Sequence, residues 1–307
     1  MKVSIIGGGG RVGSNAAFAL QQGRVVREIV IVDAAQDMAA GEALDLRHGA
    51  SLSAPQIIRA GGYEAVAGSD CVVITAGLRR KPDESRLDLI NRNVALFGEI
   101  LDSLMSVELA QGACILVVSN PVDILTQLAF TKTKMDRSKV FGLGTVLDTC
   151  RFRSFLGEFF NVAATDVKAL ILGEHGDSMV PIWSSATING VALSSFPGYS
   201  PQKMNEIFDM TKTSGAEVIR QKGGAGWAVG VSIREVVEAV ALNKRAVLPI
   251  SVYQEGVLGI RDVCLSLPTI VDRSGAAAVI EPVVSDSERE LLLKSAESLR
   301  EVLGKVL

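Results

Sequence analysis

The chain has 307 residues, 48% of them apolar, which suits one large or two moderate domains with a sizeable core. Its formal charge is −3 and its basic residues are scattered apart from Arg79-Arg80-Lys81, so no nucleic-acid partner is expected. No apolar run approaches the roughly 18 residues of a membrane span, so no membrane partner is expected either.

The N-terminus meets glycine after six residues, too soon for a signal peptide. Cys71, Cys114, Cys150 and Cys264 are far apart and lack metal-type spacing. They read as reduced thiols of a cytoplasmic protein that holds no metal.

In chain order, residues 3–6, 28–32, 71–75, 115–118 and 140–141 are continuously apolar, as in parallel strands covered on both faces. Helical patterns at 15–22, 37–47 and 87–105 lie between them, which predicts a doubly wound α/β sheet. The second half changes character. Strand-like runs at 166–172 and 181–188 precede helical stretches near 201–221 and 225–244, then strands at 247–253 and 262–271. A final helix opens at Ser285, where Ser285 and Glu288 fit a capping box. The expectation is a Rossmann-type domain over residues 1–145 and a mixed α+β substrate domain over 146–307, packed closely because no flexible linker or repeat divides them.

The first strand runs directly into Gly7-Gly8-Gly9-Gly10-Arg11-Val12-Gly13, where Gly8, Gly10 and Gly13 fit G-x-G-x-x-G. The first glycine permits a tight turn, the second a close approach of pyrophosphate, the third helix–strand packing. The following helix N-terminus offers free amides to phosphate. Asp33 ends the next strand, twenty residues beyond Gly13. A carboxylate there accepts from the adenosine ribose and repels a 2′-phosphate; Ala34 and Ala35 supply no cation for one. The expected cofactor is NAD rather than NADP. A structural glycine turn beside a surface aspartate is the plainer alternative.

Leu172-Gly173-Glu174-His175-Gly176-Asp177 holds one of the chain's two histidines, after an apolar strand. A histidine so placed exchanges a proton near neutral pH. Upstream, Asp148 and Arg151 are three apart and share a face if the segment is helical. A carboxylate can hold the imidazole while a guanidinium grips an anionic substrate. The plainer readings are a structural histidine, a helix-face salt bridge and, for Asn120-Pro121, a simple turn. His48 has no companions.

With Thr75-Ala76-Gly77, Lys81-Pro82-Asp83-Glu84-Ser85-Arg86 and Ser119-Asn120-Pro121 in the same order, the whole chain resembles the L-lactate/L-malate dehydrogenase family. The resemblance implies His175 as acid–base group and Asp148 as its partner. It implies Arg151 as the grip on the 2-oxo acid carboxylate and Arg86, on a closing loop, as the group that polarises the carbonyl. Asn120 would bond the substrate oxygen. Arg11, Val12, Asn93, Val118 and Asn120 would border the cofactor, and a homodimer or homotetramer is implied.

Arg80 corresponds to the family's substrate-discriminating position, where glutamine is usual in lactate enzymes and arginine in malate enzymes. A second arginine suits a dicarboxylate, because an uncompensated buried charge costs about 3–5 kcal/mol. Ala225 leaves room for a longer substrate. The resemblance therefore implies a malate dehydrogenase acting on oxaloacetate, with a place in the tricarboxylic acid cycle. An L-lactate dehydrogenase, or an enzyme of relaxed L-2-hydroxy acid specificity, is the alternative. Glu84 favours that alternative, and Asp83 replaces the usual loop glycine. Arg153 and Lys168 correspond to the neighbourhood of an anion site in some bacterial lactate enzymes, with ordinary interface charge as the plainer reading. A glycoside hydrolase would need a cysteine–histidine metal pair, and a non-catalytic NAD sensor would not need the full set of polar residues.

Overall fold

The computed structural model describes residues 1–79, 81 and 83–307. The first half runs β1 (Lys2–Ile6), α1 (Arg11–Gly23), β2 (Glu28–Val32), α2 (Gln36–Gly49), β3 (Ile57–Ala60), β4 (Cys71–Ile74), α3 (Arg86–Met105), β5 (Cys114–Val117), α4 (Val122–Thr133) and β6 (Val140–Gly142). The second half runs α5 (Val146–Phe160), β7 (Val167–Leu172), β8 (Val180–Ile188), β9 (Val191–Ala192), α6 (Pro201–Lys222), α7 (Trp227–Ala241), β10 (Ala246–Glu255), β11 (Arg261–Asp272), β12 (Gly275–Val279) and α8 (Asp286–Val306).

Strands β3-β2-β1-β4-β5-β6 are parallel neighbours in that order, the doubly wound arrangement expected from the alternation of apolar runs and helices. The order reverses between β1 and β4, which opens a crevice at their carboxyl ends. β4 and β5 are buried at every position, so their sequences show no polar alternation. β3 is a short edge strand with only Ile58 buried, and its weak apolar signal left it out of the predicted elements. α4 escaped for the opposite reason. Its first five residues are all buried, so its apolar pattern lacks a helical period.

The sheet does not stop at β6. It continues antiparallel through β10, β11 and β12, joined at the seam by Ser251 opposite Gly142. One hydrophobic core likewise crosses the chain's midpoint, packing Ala16, Ala17 and Leu20 of α1 against Ile233, Val236 and Val237 of α7. A Cβ on Gly230 would lie 2.7 Å from the Asn15 carbonyl, so this helix crossing requires glycine. A second, antiparallel sheet of β7, β8 and β9 packs beside it. α8 begins with the predicted capping box: Ser285 accepts from the Glu288 amide, and the Glu288 carboxylate accepts from the Ser285 amide.

Candidate active site

The glycine turn joins β1 to α1. Here the structure refines the expectation. The left-handed residue is Gly7, at φ +83°, rather than Gly8. Gly8 is glycine because a Cβ would sit 2.6 Å from the Ile31 side chain. At Gly13 a Cβ would lie 2.4 Å from the Gly7 carbonyl oxygen, so α1 packs on the turn only without a side chain there. Gly10 caps α1, whose first turn carries no acid to repel phosphate. Asp33 accepts from the Gly9 and Ala35 amides, both at 3.0 Å, which fixes its carboxylate beside the turn.

A cavity of about 970 Å³ starts at Gly10, Arg11 and Val12 and continues past Val118 and Asn120 to Asp148, Arg151 and His175. Glycine turn, acid and cavity together fit a dinucleotide. Arg11 spends its Nη1 on the Lys222 and Gly224 carbonyls at 2.6 and 3.2 Å, tying α1 to the α6–α7 connection. Asn93 stands behind the cavity wall. It is buried, accepts from the Leu78 amide at 2.8 Å and donates to the Leu89 carbonyl at 3.1 Å.

At the far end three side chains meet. Asp148 and Arg151 lie in α5, three residues apart, and His175 follows the end of β7. The Asp148 carboxylate is 1% exposed. Its Oδ1 accepts from Arg151 Nη1 at 3.0 Å, and its Oδ2 lies 2.5 Å from His175 Nδ1. Burial by itself raises the Asp148 pKa, but the imidazole and guanidinium outweigh it and hold the carboxyl below its usual range. Burial by itself lowers the His175 pKa. The charge and hydrogen bond of Asp148, helped by Asp123, reverse this and raise it.

Asp123 was not singled out in the sequence. It lies in the first turn of α4, is 3% exposed, and accepts from the His175 amide at 2.7 Å and from Ser251 Oγ at 2.6 Å. Burial pushes its pKa up to about 7, against the lowering effect of those two hydrogen bonds and of the His175 charge. The available signal was an acid directly after Asn120-Pro121-Val122 at a helix start. Lys212, Gly215 and Ile219 of α6 also line the cavity, together with Arg79 and the expected Ala225.

Arg86 is different. It opens α3, is 64% exposed and does not line the cavity. It pairs with Asp177, which does, and lies 4.0 Å from Glu174. Behind it, Asp83 has φ +63°, the conformation for which glycine is the usual choice. Glu84 accepts from the Lys81 amide at 2.9 Å and from Arg92 at 2.5 Å, bracing the loop. Arg80, on which the substrate expectation turned, lies outside the described residues, as does Pro82. Arg153 donates to the Ala169 carbonyl at 2.9 Å and Lys168 to the Thr165 carbonyl at 2.7 Å.

The lactate/malate dehydrogenase NAD-binding domain matches residues 1–142, and the alpha/beta C-terminal domain of the same family matches residues 145–307. The chain belongs to the lactate/malate dehydrogenase family. As a member it is an NAD-dependent 2-hydroxy acid dehydrogenase. It is 40% identical over 310 residues to L-lactate dehydrogenase 1 of Clostridium acetobutylicum, covering 99% of this chain and 98% of that protein. It is 41% identical over 304 residues to an L-lactate dehydrogenase of Clostridium perfringens, covering 97% and 95%. The crystal structure of the minor L-lactate dehydrogenase of Enterococcus mundtii superposes with a TM-score of 0.95 at 34% identity, covering 100% of this chain and 98% of that one.

These relatives overturn the malate assignment and the tricarboxylic acid cycle role attached to it. That expectation set one substrate carboxylate against Arg151 and a second against Arg80. Of the two, the described Arg151 already faces the Asp148 carboxylate, so a guanidinium near the cavity does not by itself call for a substrate carboxylate. Among the described residues, no helix is long and apolar enough to cross a membrane.

Proposed function

We propose that this dehydrogenase interconverts pyruvate and L-lactate. The observation that carries the reading is the contact chain Arg151–Asp148–His175 on the wall of the same cavity that begins at the glycine turn. Bound NADH supplies the hydride to the substrate carbonyl carbon. Asp148 accepts from His175 Nδ1–H, which leaves Nε2–H to give its proton to the carbonyl oxygen and to recover it in the reverse direction. Arg151 grips the substrate carboxylate while Asp148 holds one of its nitrogens. Gly215 leaves space over that guanidinium, since even a Cβ there would lie no closer than 3.5 Å. Asn120 donates to the substrate oxygen from the cavity wall. Arg86 exchanges Asp177 for the substrate and stabilises the charge that develops on that oxygen.

A one-carboxylate substrate suits this mouth, because a second carboxylate would approach Asp177, which lines the cavity. The names of the relatives point the same way. The test is parallel turnover of pyruvate and oxaloacetate with NADH. The expected kcat/KM is at least about tenfold higher for pyruvate. Equal or better use of oxaloacetate refutes the assignment. The small residues Gly215, Gly224 and Ala225 along the cavity favour a second reading, in which larger 2-oxo acids are also accepted; 2-oxobutyrate turnover decides it.

The same reading divides the chain into a cofactor domain, 1–145, and a substrate domain, 146–307, supported by family matches on either side of that point. It includes a homodimer or homotetramer, supported by exposed Trp227 and Val231 on one face of α7. Sedimentation would test the latter.

A further inference from the structure

Asp123 has no task in the reading above, yet it touches the histidine that reading depends on. Three successive main-chain N–H groups after β7 are anchored to three different elements. Gly173 donates to the Ser266 carbonyl of β11, Glu174 to Ser295 Oγ of α8, and His175 to Asp123 Oδ2 of α4. The last of these acceptors is an acid. Its other oxygen accepts from Ser251, the residue of β10 that faces Gly142 across the seam of the large sheet. His175 is thus held at both ends: Asp148 of α5 takes the ring, and Asp123 of α4 takes the main chain.

We propose that Asp123 is a positioning residue for the reaction, clamping the His175 main chain against the sheet seam so that the ring, fixed by Asp148, presents Nε2 to the cavity in one orientation. The proposal rests on His175 being the acid–base group. The titratable and charged groups around Asp123 are His175 and Glu174 on the loop after β7 and Cys264 on β11, with Asp148 and Arg151 of α5 beyond the ring. Ser251, from β10, is uncharged. Asp123 is one of the groups that raise the His175 pKa, so its negative charge and the histidine proton support each other.

Asp123→Asn keeps the shape and an acceptor but removes the charge. The chain has only two histidines, so a His48→Gln background leaves His175 as the one ring signal in a proton NMR titration; His48 is exposed on α2. In that background, Asp123→Asn is expected to lower kcat for pyruvate reduction about five- to tenfold, with KM for NADH and pyruvate within about twofold. It is also expected to move the ring titration downward by about half a unit or more.

A merely structural Asp123 would lower thermal stability and leave both kcat and the ring titration in place, and that result overturns the proposal. If Asp123→Asn fails to fold, Ser251→Ala decides. Loss of the hydroxyl leaves the carboxylate less able to stay ionised, so kcat and the ring titration both shift in the same direction by a smaller amount. No shift in either overturns the proposal. His175→Asn serves as the reference. If it retains activity, the acid–base reading fails. If it is inactive while Asp123→Asn behaves as wild type, only the present proposal fails.

Discussion

The floor and the mouth of the cavity use the same pair of groups, a carboxylate against a guanidinium, in opposite surroundings. On the floor Asp148 is 1% exposed and its partners Arg151 and His175 are 17% and 24% exposed. At the mouth Asp177 and Arg86 are 75% and 64% exposed. Water at the mouth screens the pair, so it contributes little and exchanges easily, as the role proposed for Arg86 requires. On the floor the charges are held in place before substrate arrives, and removing one partner leaves the others uncompensated. Burial thus separates a permanent arrangement from an exchangeable one built from the same chemistry.

The comparison is tested most severely by Asp148→Asn. Losing the carboxylate removes the acceptor that selects the ring orientation and the charge that keeps the proton on His175. Pyruvate reduction is expected to fall on the order of 10³-fold in kcat. A loss under tenfold would mean that burial confers no special role on this carboxylate. Next comes Arg151→Gln, which strips a charged donor from the substrate carboxylate. KM for pyruvate is expected to rise about 10- to 100-fold, with binding of NADH unchanged by fluorescence titration.

The third effect is on pH. In the proposed mechanism reduction needs the protonated ring, and Asp148 raises the His175 pKa above its ordinary value of about 6.5. Reduction is therefore expected to hold through neutral pH and to fall about tenfold per unit only above the raised value, while lactate oxidation rises over the same range. A profile of kcat/KM that breaks below the ordinary histidine value contradicts this. Far from both ends, Ser285→Ala removes the α8 cap and is expected to cost about 1 kcal/mol in denaturant unfolding without touching kcat. The smallest stability change belongs to the mouth. Asp177→Asn is expected to alter unfolding free energy by less than about 1 kcal/mol, and by less still in high salt.

Much of the fold was legible because its strands are buried on both faces and its turns are marked by glycine. Runs such as Val3-Ser4-Ile5-Ile6 and Cys71-Val72-Val73-Ile74 need no partner to be recognised. The cofactor turn was equally plain, although which glycine takes the left-handed conformation was not. It is Gly7, whose close neighbour Ala76 follows β4, the next strand of the sheet. Asp148 and Arg151 could be paired from their spacing alone, because a helix places residues three apart on one face. Their junction with His175, 27 positions downstream of Asp148, could be placed only by resemblance.

The malate expectation turned on one residue, Arg80, read as a second carboxylate grip. A sequence shows an arginine but not the acids near it in space, as Asp177 beside Arg86 illustrates. Asp123 was passed over because its partners, the His175 amide and Ser251, lie 52 and 128 positions away.

From its order of residues alone, this chain specified a doubly wound sheet, a dinucleotide turn, an acid at the end of β2 and an aspartate and arginine on one helix face. These are properties of local period, turn stereochemistry and residue type, which short segments carry within themselves. The tertiary structure decided the rest: which carboxylates are buried and therefore shifted, which arginine is already answered by an acid, and how α4, α5 and the sheet seam converge on one imidazole. Charge and burial depend on distance through space, and that distance exists only once the halves of the chain have packed together.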